Sequence, residues 1–175
     1  IWFLIFSFNC YIYIKPMINP EILREYDIRG IYEKSLTLND VTKIALSITK
    51  ILINNKSPNI IIGHDGRISS LKIKNTLIEN FTTYGIEVID ISLIPTPLSY
   101  FSSKCYKIPN LIMITGSHNP KEYNGLKMII DNKPFFGKSI KSLNEVDVSS
   151  LIKKNGSVKF QNPLILIVLK STLVD

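Results

Sequence analysis

The sequence predicts an α/β fold, a three-layer α/β/α sandwich on a mostly parallel, mixed sheet. Short, nearly all-apolar runs at 59–62, 86–91, Leu111–Ile114 and 126–130 look like strands covered on both faces. Segments with apolar residues at helical spacing lie between them, and such alternation implies a parallel sheet with helices on both faces. With 175 residues, 45% of them hydrophobic, one domain can bury its own core without disulfides or structural metal.

Each element has a local reason. Behind a Thr37/Asn39 capping region, Val41, Ile44, Ala45, Ile48, Ile51 and Leu52 fall on one helical stripe. Gly63 ends the first buried strand. Ser69 is placed to cap a second helix running to about Thr83, packing through Leu71, Leu77, Ile78 and Phe81, with Gly85 as its stop. A turn through Pro95, Thr96 and Pro97 leads to a short helix over 99–105. The strand at Leu111–Ile114 runs into Thr115-Gly116-Ser117-His118-Asn119-Pro120, and Asn124-Gly125 reads as a turn before the strand carrying Lys127. Residues 138–154 are expected to form the last helix.

The two ends differ from the middle. Residues 1–14, IWFLIFSFNCYIYI, are apolar but too short for a confident membrane span, and they lack the basic flank and cleavage site of a secretory signal. Residues 1–16 are therefore expected to be an extension outside the domain, with Met17 the natural start and a membrane anchor the lesser alternative. The domain is expected over 17–155. Residues 156–175, which include a second apolar run, are expected to be a truncated or degenerate segment. A cytoplasmic location follows from that organisation.

Cys10 and Cys105 support neither a disulfide framework nor a zinc site. The formal charge of +7 suits an anionic partner, but the 18 Lys are scattered singly or in pairs, which argues against nucleic acid. Only three Arg occur, at 24, 29 and 67. A chain so biased toward Lys is expected to keep Arg where a planar two-pronged donor matters.

Three segments carry the functional residue types, and in such sheets ligands gather beyond the carboxyl ends of the strands. The first, TGSHNPKEYNGLK, offers a hydroxyl at Ser117, close backbone approach at Gly116, an adjacent His118 and a returning Lys127. A nucleophilic or phosphate-carrying serine needs a rigid loop with a base or cation nearby, although a plain connection with polar turn residues has the same composition. No Gly-x-Ser-x-Gly elbow supports a hydrolase. The second, REYDIRG, crowds Tyr26, Asp27 and Arg29 before a glycine, and also suits a surface strand with an Asp–Arg pair. The third, GHDGR, is also good turn chemistry.

The order REYDIRG, IIIGHDGRISS, the Pro95–Pro97 turn and TGSHNPKEYNGLK resembles domain I of the α-D-phosphohexomutases, in the bacterial phosphomannomutase/phosphoglucomutase branch, from about Ile22 to Lys154. Tyr26 before Asp27-Ile28-Arg29-Gly30 favours that branch over the phosphoglucosamine mutases, which usually carry Thr there. The resemblance implies that Ser117 is carried as phosphoserine, with His118, Lys127, Arg29 and Tyr26 bordering the reacting phosphoryl group. It implies catalytic roles for Ser117, His118, Lys127 and Arg29, and substrate contacts from Tyr26, Arg29 and Lys127. The implied partner is a mannose or glucose 1- or 6-phosphate. It also implies Mg²⁺, held by the phosphate on Ser117 and by aspartates of a D-G-D-G-D-R loop.

Two departures stand out. His64 occupies a position where family members usually carry Arg. The aspartates, at 27, 40, 65, 90, 131, 147 and 175, contain no D-x-D-x-D. Asp65 and Arg67 are expected to be architectural, holding the strand–helix turn against the active loop. Alternatives to a mutase domain working with the missing downstream domains, possible as a separate chain, are a phosphoglucosamine mutase-like fragment, a remnant of a broken reading frame and a non-catalytic membrane-associated module.

Overall fold

The computed structural model describes residues 17–162. The extension expected at 1–16 and most of the segment expected at 156–175 lie outside the described residues. In chain order the elements are β1 (Ile28–Ile31), α1 (Leu38–Asn54), β2 (Asn59–His64), α2 (Ile68–Thr83), β3 (Glu87–Leu93), α3 (Thr96–Tyr106), β4 (Leu111–Ile114), β5 (Tyr123–Ile130), β6 (Lys133–Pro134), α4 (Lys138–Lys141) and β7 (Ser157–Phe160). The sheet order is β1-β5-β4-β2-β3-β7, with β6 on β5. Strands β4, β2, β3 and β7 are parallel neighbours, and β5 runs antiparallel to both β1 and β4.

Side-chain alternation along the strands divides the core into two layers. Ile60 and Ile62 point to α1 and α2, where they meet Ile44, Ile48, Ile73, Leu77 and Phe81. Ile61 points the other way, to a smaller cluster with Ile91, Met113 and residues of α3 such as Leu98. The helices therefore cover both faces of a mixed sheet, as the sequence predicts.

Several local expectations hold. Thr37 caps α1 through a reciprocal capping box with Asp40, and Gly85 adopts φ +83° just past α2. Others are corrected. Helix α2 begins one residue before Ser69, with Arg67 as N-cap, so Ser69 lies buried in the first turn. The helix packs through Ile73, Leu77 and Phe81, while Leu71 is 52% exposed because it falls off that stripe. Pro97 sits in the first turn of α3, where its missing N–H is no loss, so the expected turn is the start of the helix.

Asn124 and Gly125 are not a turn but the start of β5. Gly125 lies opposite Arg29, and a Cβ there would overlap the Ile28 carbonyl oxygen, so its role is close strand approach. The helix expected over 138–154 is one turn of α4 and a 3-10 turn at Ser142–Asn144. The Asn144 side chain at the end of that turn bonds Ile18, accepting from its N–H at 2.7 Å and donating to its carbonyl at 3.1 Å. Strand β7 then joins the sheet edge beside β3.

Candidate active site

The loop leaving β4 lies beside the turn leaving β2, at the carboxyl ends of parallel strands. Ser117 is exposed at its tip with φ +53°, a left-handed conformation costly for a residue with a Cβ. Local bonds hold it there: Thr115 Oγ1 accepts from the Ser117 N–H at 2.8 Å, and the Gly116 carbonyl accepts from the Asn119 N–H at 3.0 Å.

One flank of the loop is fixed by Asp65 and Arg67, as expected. The Arg67 guanidinium donates to the carbonyls of Pro120 (2.6 Å), Tyr123 (3.0 Å), Ser117 (3.1 Å) and Asn119 (2.7 Å), and through Nε to Asp65 Oδ2 at 3.2 Å. Asp65 also accepts from the Gly116 N–H at 3.1 Å and the Ser70 hydroxyl at 2.7 Å. Burial by itself would raise the Asp65 carboxyl, but hydrogen bonds from Ser70, Arg67, Thr115 and Gly116 outweigh it and hold it below the ordinary value. Asn124 extends this flank, donating to Ser69 Oγ at 2.8 Å and Ser70 Oγ at 2.9 Å.

The other flank comes from β1 and β5. Arg29 is buried, donates through Nη1 to the Gly116 carbonyl at 2.9 Å and pairs through Nη2 with Asp27 Oδ2. Lys127 Nζ lies 3.2 Å from the same carboxylate oxygen. Arg29 thus shares one acid with a lysine 100 residues beyond that acid in sequence. His118 Nδ1 is 3.4 Å from Ser117 Oγ. Tyr26, 78% exposed, lines a cleft of about 490 Å³ with Tyr100, Lys127, Phe135 and Phe136. Among the described residues, neither Lys127 nor Tyr26 hydrogen-bonds to Ser117.

Residues 20–153 match the family model for phosphoglucomutase/phosphomannomutase, alpha/beta/alpha domain I. The chain belongs to that family. A phosphomannomutase/phosphoglucomutase of Pseudomonas syringae is 33% identical over 152 residues, covering 86% of this chain and 33% of the relative. A Neisseria meningitidis phosphoglucomutase is 35% identical over 136 residues, covering 78% of this chain and 28% of the relative. A probable phosphoglucosamine mutase of Thermococcus gammatolerans is 39% identical, but over only 58% of this chain. Among solved structures, a phosphoglucomutase/phosphomannomutase family protein of Burkholderia thailandensis superposes with a TM-score of 0.79 at 26% identity, over 87% of this chain and 35% of that one. The chain spans about a third of the length of the P. syringae relative.

Within this phosphoglucomutase/phosphomannomutase domain, His64, at the unusual position, is buried, with Nδ1 2.7 Å from the Asp65 carbonyl. It makes no ion pair among the described residues. No three His, Cys, Asp or Glu side chains converge on a metal position among the described residues. Both oxygens of Asp65, the acid bonded to the loop, are already engaged. Octahedral Mg²⁺ wants several oxygen ligands, so the residues present do not make a magnesium site by themselves. No helix of the described residues is long and apolar enough to cross a membrane.

The sequence does not reveal the part that two groups play at the site. Asp27 reads there as one half of an ordinary Asp–Arg pair, because its second partner is distant in sequence. Tyr100, held above the usual tyrosine range by burial and then by the Asp27 charge, carries no signal in sequence beyond its position after the Pro95–Pro97 turn.

Proposed function

We propose that Ser117 carries a phosphoryl group and that this chain supplies the phosphoryl-transfer wall of a hexose-phosphate mutase. The supporting observation is the loop itself: a serine raised in a left-handed conformation, its backbone clamped by Arg67, with His118 and the Arg29–Asp27–Lys127 cluster beside it. In the forward step the bond from Ser117 Oγ to phosphorus breaks, a bond from phosphorus to a sugar hydroxyl oxygen forms, the hydroxyl proton passes to a nearby base, and the departing Ser117 oxygen takes up a proton to become the neutral hydroxyl. The product is a bisphosphorylated sugar, which turns over and returns its other phosphoryl group to Ser117. The transition state is loose, so positioning and charge neutralisation supply most of the catalysis. Lys127 and Arg29 provide the charge, and His118 takes the proton.

The substrates of this reading are mannose or glucose 1- and 6-phosphates, and Tyr26 in the REYDIRG segment supports them over an amino sugar. Magnesium would come to the phosphate on Ser117 with ligands supplied from outside the residues described here. The 175 residues alone are expected to show no interconversion of mannose 6-phosphate and mannose 1-phosphate, and measurable magnesium-dependent turnover by the purified chain would sink that expectation. Residues 17–155 grafted in place of the matching segment of the Pseudomonas aeruginosa phosphomannomutase/phosphoglucomutase, 31% identical to this chain, should restore turnover. Ser117→Ala in the graft should remove it by on the order of 10³-fold or more. A graft that folds and converts neither hexose phosphate rejects the reading, and conversion of glucosamine phosphate alone moves it to the amino-sugar branch.

A further inference from the structure

We propose that Asp27 is the resident counter-anion of the phosphoryl site: it keeps Arg29 and Lys127 in place when Ser117 is bare and limits how tightly those cations grip a phosphate. The inference rests on Ser117 being the phosphoryl carrier.

Asp27 is 8% exposed, and its Oδ2 alone accepts from both Arg29 Nη2 and Lys127 Nζ. One negative charge therefore faces two positive ones, leaving the cluster one charge positive. Its donors are also incompletely used. Arg29 Nε is buried without a partner among the described residues, and Lys127, with its side chain 30% exposed, has Asp27 as its hydrogen-bond partner. Tyr100 adds no second anion, because burial and the Asp27 charge keep its phenol protonated.

A carrier serine alternates between a neutral hydroxyl and a phosphate of nearly two negative charges. Without a fixed anion, the bare state would leave a buried guanidinium uncompensated and an ammonium repelled by it. Asp27 removes that problem at a cost in phosphate affinity, since it stands as a like charge beside any phosphate the two cations hold. For a group handed on in every turnover, a moderated grip favours release.

The test is inorganic phosphate binding to the full chain, followed by calorimetry at low ionic strength, where screening is weak. Asp27→Asn should bind phosphate about ten-fold more tightly than the parent, the effect of removing one like charge at this range in partly screened surroundings. Equal or weaker binding, or none measurable in the variant, overturns the proposal. Because Asp27→Asn leaves Arg29 buried without its ion pair, a second comparison avoids that charge. The pair Arg29→Gln/Asp27→Asn should bind phosphate several-fold more tightly than Arg29→Gln alone, and equal affinity again overturns the proposal. Incubating the grafted enzyme with a hexose 1,6-bisphosphate and magnesium, and locating the added phosphoryl group by mass spectrometry, reports separately on Ser117. A change in phosphate affinity without a phosphorylated Ser117 tells against the functional reading, whereas a phosphorylated Ser117 with unchanged affinity rejects Asp27 alone.

Discussion

Arg67 and Arg29 reach the same loop from opposite flanks and differ in what they leave unused. All three nitrogens of the Arg67 guanidinium are bonded, to four carbonyls and the Asp65 carboxylate. Arg29 gives the loop one bond, shares Asp27 with Lys127 and has a buried Nε with no partner among the described residues. A guanidinium saturated by main chain fixes shape and has nothing left for a ligand. One with a spare donor beside a shared carboxylate can still respond to an arriving charge. The Arg67 flank thus builds the loop, and the Arg29 flank is the one left for the proposed phosphoryl transfer.

Replacing each arginine by lysine is the strongest way to break that comparison. Arg67→Lys keeps the charge but not the planar fork, stranding carbonyls around a partly buried pair, and should cost about 3 kcal/mol in urea unfolding. Arg29→Lys loses chiefly the bond to Gly116 and should cost about 1 kcal/mol, while reducing turnover of the grafted enzyme far more than Arg67→Lys does per kcal/mol lost. Equal or reversed stability losses would abolish the distinction.

A smaller effect sharpens it through pH. The Asp65 carboxyl sits below its ordinary value of 3.8, so its contribution to stability is present above that value and lost as pH falls through the lowered one. The parent should lose more stability than Asp65→Asn between about pH 6 and about pH 3. Parallel losses in both proteins would show that Asp65 does not anchor the loop through its charge. The smallest effect comes at the tip: Ser117→Gly relieves a positive φ and should stabilise the domain by about 0.5–1 kcal/mol while removing the proposed phosphoryl acceptor.

Much of this arrangement was legible in the sequence, for identifiable reasons. Strand β4 and the stripe of α1 follow from apolar spacing, and the Thr37 cap from local chemistry. The loop motif places Ser117 and His118 side by side because they are neighbours in the chain. The failures are cases where distant contacts override local preference. Asn124-Gly125 has turn chemistry, yet Ser69 and Ser70 hold Asn124 while β1 demands a residue without Cβ at 125. The 138–154 segment has helical composition, yet it holds one turn of helix and a 3-10 turn whose Asn144 side chain bonds Ile18, 126 residues away. Asp27 and Lys127 meet only because β1 and β5 do, and no window of sequence contains both.

That meeting has a consequence in time. β1 pairs with β5, and Arg29 lies opposite Gly125, whereas β2, β3 and β4 find one another across shorter stretches of chain. β1 must wait for a partner made nearly a hundred residues later, and contacts of such separation are slow to form. Arg29 and Asp27 therefore meet Lys127 only once β1 has paired with β5. A chain stalled on the ribosome before β5 emerges would hold a nascent sheet with its cations still unplaced.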